Sequence, residues 1–299
     1  MKKLTMMVML FATIASLLAG CGGKSEAEQH RLTKLEKHRL DSIDSAALKV
    51  AVMPTMDCLP VYIAYEDSIF AAQGVDVHLR RYMAQMDCDT ALERKRVEGS
   101  VTDLMRAMYM QKRGTALTFP IATNLYWQLI SNKRARISDL KQLSDKMIAM
   151  TRHSATDYLA DLAVDSGKPK FDVYRVQIND LSIRLRMLLN NEMDAMLLPE
   201  PQATRARLAQ HVVLMDSRDK NLQLGAIAFR KKALEQPRRK EQLAVDSINK
   251  YGVKHYARII NKYMGADEKT IGSLPKLKYE HALESRRRDL ALAERFANH

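Results

Sequence analysis

The sequence predicts an α/β protein, with parallel-rich sheets flanked by helices and a helical C-terminal part. Two observations predict it. Short apolar runs of strand length alternate with helix-spaced segments between Leu48 and Leu198, the pattern of βαβ units. From about Lys231 onward the spacing is helical only: Leu243, Ser247, Ile248 and Tyr251, then His255, Ile259 and Tyr263, recur at helical intervals and read as core cover for a sheet.

The elements follow in order. Leu48 to Met53 is a short apolar strand broken at Pro54. Pro60 suits a first helical turn, and Leu59, Ile63, Ala64, Ile69 and Phe70 give an apolar face that ends at Gly74. Val75 to Leu79 alternates as a strand does. A helix is expected from about Asp89 to Glu98, then strands at Trp127–Ile130 and Met147–Met150. A helix opens at Ser154, where Ser154-Ala155-Thr156-Asp157 matches a capping box, and Gly167 suits its end. A strand near Val173–Gln177, a helix over Asn179–Leu189 and a strand Ala195–Leu198 stopped by Pro199 complete the series.

The first residues read as an export signal. Met1-Lys2-Lys3 precedes an uncharged apolar run from Leu4 to Ala19, too short for a permanent membrane helix, which needs about 20 residues. Leu18-Ala19-Gly20-Cys21 resembles the lipobox of bacterial lipoproteins, which implies cleavage after residue 20 and a lipid on Cys21. Loss of those 20 of 299 residues leaves 279, enough for one large domain or two lobes, and lowers the formal charge from +13 to +11. Residues 21–47 are polar and charged, a tether with helical spacing around Leu32 to Ile43.

A basic balance can signal nucleic acid. Here Arg94-Lys95-Arg96, Arg238-Arg239-Lys240 and Arg286-Arg287-Arg288 are scattered, two of them beside acids in helical segments, and no nucleic-acid motif accompanies them. Solvated faces are the expectation, without a nucleic-acid partner.

The order of motifs in the body resembles the type II periplasmic binding proteins of ABC importers, in the branch for nitrate, sulfonate, taurine and thiamine precursors. The likeness is carried by Leu59-Pro60-Val61-Tyr62-Ile63-Ala64 followed by Ile69-Phe70 and Gly74-Val75-Asp76-Val77, and by Ile137-Ser138-Asp139-Leu140-Lys141 before Lys146-Met147-Ile148-Ala149. Its most specific stretch runs from Asn190 through Asp194-Ala195-Met196-Leu197-Leu198 to Pro199-Glu200-Pro201. The resemblance covers roughly Leu48 to Phe296. It implies two lobes, 48–123 with 222–299 and 126–214, joined by crossings near 122–125 and 215–222, with a solute held between them and passed to permease subunits. The protein would be a monomer in the cell envelope, held by its lipid, facing the periplasm or exterior and needing no cofactor.

In such sheets ligands sit beyond the carboxyl ends of the strands, where helix starts offer free N–H groups. That places Thr55 and Asp57 after the first strand, Thr118 and Phe119 after another, Ser154 and Thr156 at one helix start, Asn179 and Asp180 at the next, and Glu200 after its strand. Capping alone accounts for Ser154, Asn179 and Asp180, and a hinge or interlobe pair accounts equally for Glu200. Met56-Asp57-Cys58 recurs as Met86-Asp87-Cys88 in a compartment expected to be oxidising, so a Cys58–Cys88 disulfide across the cleft rim is expected; a metal site lacks the usual close His or Cys spacing.

One departure bears on the ligand. The family often has a small glycine-containing loop after the second strand, and here Ala84-Gln85-Met86-Asp87-Cys88-Asp89 carries acids and no glycine, which weakens an anionic substrate. Aromatic content is 6% with one Trp, Trp127, so stacking on a planar ring is not signalled, although Tyr62, Tyr82 or Tyr158 are available. An enzyme on the same fold, like pyrimidine-precursor or menaquinone-pathway proteins, and an envelope sensor or scaffold are the competing readings. The export signal and the lack of a nucleophile–base set or metal motif count against the enzyme.

Overall fold

Strand β1, Leu48–Val52, sets the frame, because its side chains are buried on both faces as a central parallel strand requires. It belongs to a computed structural model that describes residues 26–234, 245–279 and 284–298. The expected signal 1–20 and Cys21 lie outside the described residues. The chain divides into two compact units, Met1–Ala46 and Ala47–His299. In the first, residues 26–46 form one helix, Glu26–Ala46, rich in good helix formers and carrying an i,i+3 ion pair of Arg39 and Glu36 at 2.6 Å. Among the described residues no helix is long and apolar enough to cross a membrane.

Among its described residues the second unit holds ten strands. After β1 come β2 Val77–Arg81, β3 Gly99–Asp103, β4 Leu117–Ala122, β5 Gln128–Ser131, β6 Met147–Met150, β7 Tyr174–Gln177, β8 Ala195–Leu198, β9 Val212–Asp216 and β10 Gly225–Arg230. One sheet has the order β2-β1-β3-β10-β4, the other β7-β6-β8-β5-β9. In each, four strands run one way and the fourth in line is reversed: β10 is antiparallel to β3 and β4, and β5 to β8 and β9. The reversed strand is the one that follows a passage from the other sheet. The chain leaves a sheet at the carboxyl ends of its strands and enters the next sheet from that same side, so it must run backwards. The passages lie at 123–127 and 217–224, between the bounds of β4 and β5 and of β9 and β10.

The strand expected at Val75 forms two residues later, and the helix expected at Asp89 begins earlier, at Gln85. Gly167 ends its helix, but the left-handed residue is Lys168 (φ 45°). A Cβ on Gly167 would lie 2.6 Å from the Cβ of Leu140 and 2.7 Å from its carbonyl oxygen, so this glycine serves close packing and not the turn.

Two apolar clusters sit within the lobes. One packs helix Leu59–Glu66 and helix Ala257–Met264 against β1; the other lies under Leu185, Leu188 and Met196. A third cluster spans both sheets. It joins Leu104 and Met105 of helix Leu104–Lys112, Trp127 of the first passage, Ile148 and Leu159 on the second sheet's side, Ala226 of β10 and Ala293 of the last helix, Arg287–Asn298. Phe296 of that helix meets Tyr158 edge-on at 5.6 Å.

Candidate functional site

The carboxyl ends of β1 and β3 face those of β6, β7 and β8 across a cleft. A cavity of about 40 Å³ remains there, with Thr55, Asp57, Gln85 and Asp103 on the first lobe's wall and Thr151, Ser154, Asn179 and Arg184 on the second's. A wider hollow of about 610 Å³ opens beside the passages, lined by Thr123, Tyr126, Arg218 and Lys276 among others. Asp57 stands on the wall of both.

Pro54 ends β1 and the chain turns at once into a tight helical turn, Met56–Cys58, which drives Asp57 inward; it is 4% exposed. Its Oδ2 accepts from Thr123 Oγ1 at 3.3 Å, while Oδ1 is buried with no hydrogen-bond partner among the described residues. Burial raises its pKa to about 6.

On the opposite wall, Ser154 caps helix Ala155–Gly167 by accepting from Thr156 N at 3.0 Å. The expected capping box is shifted by one residue: Asp157 Oδ2 accepts from His153 N at 2.8 Å, and not from Ser154 N. Ser154 Oγ also donates to Thr151 O at 2.6 Å, and Thr156 Oγ1 accepts from Thr151 N at 2.9 Å. Both hydroxyls therefore face the cleft already engaged with their own turn.

Beside them Arg184 is 1% exposed. Its Nε donates to Ile178 O at 2.6 Å, Nη1 to Leu197 O at 2.9 Å and Nη2 to Thr151 Oγ1 at 2.5 Å. No carboxylate pairs with it among the described residues, and burial lowers its pKa to about 9. Arg106, by contrast, is paired: its Nε lies 2.6 Å from Asp89 Oδ2.

Direct bonds hold the two walls together. Asp103 Oδ1 caps helix Leu104–Lys112 through Arg106 N at 2.9 Å and also accepts from Ala155 N, across the cleft, at 2.9 Å. A carboxylate of the protein thus occupies the N–H groups at a helix start where an anion would otherwise sit. Burial raises the Asp103 pKa to about 7. Arg106 Nη1 donates to Arg152 O at 3.1 Å, Leu181 N to Met83 O at 3.2 Å, Met56 N to Glu200 O at 2.9 Å, and Gln202 Nε2 to Pro54 O at 3.0 Å.

The structure therefore brings Thr55, Asp57, Ser154, Thr156 and Asn179 to one cavity. Asp180 stands just behind, with Oδ1 accepting from Ser182 N and Ile183 N at 2.8 and 2.9 Å to cap its helix. Glu200 is 2% exposed and saturated: Tyr126 Oη and Arg207 Nη2 meet Oε1 at 3.1 and 2.8 Å, and Thr204 N and Oγ1 meet Oε2 at 2.9 and 2.7 Å.

Two expectations need correction. Thr118 and Phe119 do not follow a strand; they lie near the start of β4, far from its cleft end at Ala122, and line neither cavity. Cys58 and Cys88 are free thiols, fully buried in the core and not on a rim. The Cys58 thiol turns into its own loop, where Met53 N donates to Sγ at 3.4 Å. Burial pushes both thiols well up from their ordinary pKa, Asp57 adding to the effect on Cys58 and Asp89 and Cys58 to that on Cys88.

Asp103, Thr123, Thr151 and Arg184 are site residues that the sequence reading missed. Arg184 had a signal: it lies on the Leu181, Leu185, Leu188 face of its helix, where an outward arginine has no place.

No protein-family model matches the chain, and no curated protein matches it in sequence. Solved structures do match. The periplasmic aliphatic sulphonate binding protein SsuA from Escherichia coli superposes with a TM-score of 0.66 at 13% identity, over 85% of this chain and 86% of that one. A ligand binding component of an ABC-type import system from Staphylococcus aureus, with zinc bound, gives 0.68 at 14%, over 84% and 91%. The periplasmic nitrate-binding protein NrtA from Synechocystis PCC 6803 gives 0.64 at 13%, over 81% and 74%. At these identities the likeness is one of fold: the chain has the two-lobed α/β fold of periplasmic binding proteins, as its motif order implies.

Proposed function

We propose that the chain is the lipid-anchored substrate-binding component of an ABC importer, exported by residues 1–20, acylated at Cys21 and held off the membrane by residues 21–47. In this reading lobe 1 comprises 48–123 and 222–299, lobe 2 comprises 126–214, and a small polar solute is captured between them for permease subunits by closure, without chemistry. The observation that carries it is the cleft itself: buried polar groups from both lobes converge there, and one carboxylate oxygen, Asp57 Oδ1, has no hydrogen-bond partner among the described residues. Natural proteins rarely leave such an atom unpaired without a use for it.

Two experiments test this. Cells fed an alkyne-tagged palmitate should label the wild-type chain and not Cys21→Ser; label on both would remove the lipid anchor. Thermal-shift screening of the purified protein against small polar solutes should give a dose-dependent hit, with about 2.7 kcal/mol of stabilisation at a hundred times Kd.

A second reading, an envelope sensor or scaffold on the same fold, is favoured by one observation. The apolar cluster through Leu104, Trp127, Ala226 and Ala293 ties the lobes together independently of any solute. Silence across a broad solute library would favour it.

A further inference from the structure

The two walls of the cleft are unlike in charge, and each carries a buried charged group with no ionic partner among the described residues. On the first lobe, Asp57 is 4% exposed with one carboxylate oxygen unpaired. On the second, Arg184 is 1% exposed and, among the described residues, bonds to two carbonyl oxygens and a threonine hydroxyl, so its positive charge meets dipoles and no acid there. Both side chains line the same cavity. Elsewhere the protein neutralises such groups directly, as it does in the buried Arg106–Asp89 pair beside this site. A buried ion without a counter-ion is costly, and the cost is removed by a partner of opposite sign.

We propose that the solute is zwitterionic: a small molecule with a protonated amine at one end, held by Asp57, and an acidic group at the other, held by Arg184 and Thr151. This inference rests on the solute-capture reading above. A plain anion satisfies Arg184 but meets Asp57 and Asp103 as like charges. A plain cation leaves Arg184 as it is. Only a molecule bearing both signs answers both walls. The present cavity of about 40 Å³ holds no more than two or three waters by the usual measure of about 15 Å³ each. The lobes must therefore part to admit such a solute, and Asp103 must release Ala155 N, since it bridges the walls.

The test is calorimetric titration of the purified protein with matched probes at pH 7.5. Glycine, 3-aminopropanoate, 4-aminobutanoate and their aminosulfonate counterparts form one set. The same carbon chains without the amine, and without the acid, form two more, and sugars and pyrimidines serve as uncharged probes. The expected result is binding of at least one zwitterion ten-fold or more tighter than its matched acid and matched amine, with that preference lost in Asp57→Asn. Asn is close in size to Asp, and folding of the variant is checked by its melting curve. An Arg184→Lys variant that remains folded should weaken the zwitterion and leave the matched amine unchanged. A matched acid or an uncharged probe binding as tightly as any zwitterion overturns the inference and leaves solute capture standing. A preference that survives in Asp57→Asn overturns the role of Asp57. No binding by any probe overturns solute capture and this inference with it.

Discussion

Asp57 offers a test of the site that needs no ligand. Burial raises its pKa from the ordinary 3.8 to about 6. At about 1.4 kcal/mol per pH unit, the ionised carboxyl destabilises the folded protein by about 3 kcal/mol. The sign follows from which state ionises first. Below pH 3.8 both folded and unfolded chains hold the proton, and there is no cost. As pH rises from 3.8 the unfolded chain gives up its proton while the folded one keeps it, so stability falls until about pH 6. Above that both are ionised and the cost is constant. Asp57→Asn has no such proton, so the stability of the variant relative to wild type should rise by about 2.5 kcal/mol between pH 4 and pH 7.5. At roughly 2–4 °C per kcal/mol for a domain of this size, the difference in Tm between the two proteins should grow by roughly 5–10 °C. Asp103 titrates in both proteins and cancels in the comparison. Any fixed gain or loss from the amide is present at every pH, so only the slope counts. Melting curves of both proteins at pH 4, 5, 6 and 7.5 decide it. A difference that stays flat across that range would refute the claim that Asp57 is ionised against burial.

Three further outcomes follow from particular contacts. Asp103→Ala removes a cap worth about 1 kcal/mol together with a bond across the cleft; amide exchange at residues 104–107 and 153–156 should quicken by about five-fold or more, and unchanged exchange at Ala155 would show that the walls are held without Asp103. Gly167→Ala forces a Cβ against the Leu140 backbone and should cost about 1–3 kcal/mol as overpacking, read as a lower Tm; an unchanged Tm would return Gly167 to the role of a simple helix end. Cys58 and Cys88 should resist a thiol reagent in the native protein and yield two titratable thiols when residues 22–299 are denatured without reductant; no thiols there would restore the disulfide.

How much was legible in the sequence depends on where each element takes its stability. Strands β1, β6 and β8 are apolar because they are buried, and burial leaves a mark on composition that reads at once. Strand β3 left no such mark. Gly99-Ser100-Val101-Thr102-Asp103 is wholly buried, yet it is small and polar. Gly99 is there because a Cβ would lie 2.4 Å from the Phe229 ring, and Thr102 because its hydroxyl donates to Asp89 at 3.3 Å. Both reasons come from distant parts of the chain. Thr118 and Phe119 were expected just past a strand, but Leu117–Ala122 is itself the strand, and as an edge strand β4 tolerates Pro120.

The site divides along the same line. Asp57, Ser154 and Asn179 were placed by rules that need only the chain's direction: a strand ends, a helix begins, and the residues between them face the cleft. Arg184 and Asp103 gain their meaning from what the opposite lobe or a neighbouring strand brings to them. Arg184 stands out because no acid among the described residues comes with it, and Asp103 because a second helix start does. Sequence position therefore pointed to the cleft, while Arg184 and Asp103 became visible as part of it only when both walls were in view. This also bears on the substrate. The acids after β2 argued from the sequence against a simple anion, and in the structure Asp89 is spent on Arg106. On the solute-capture proposal, the acid that still opposes an anion is Asp57 on the neighbouring strand's end, and the buried Arg184 opposite it disfavours a simple cation as well.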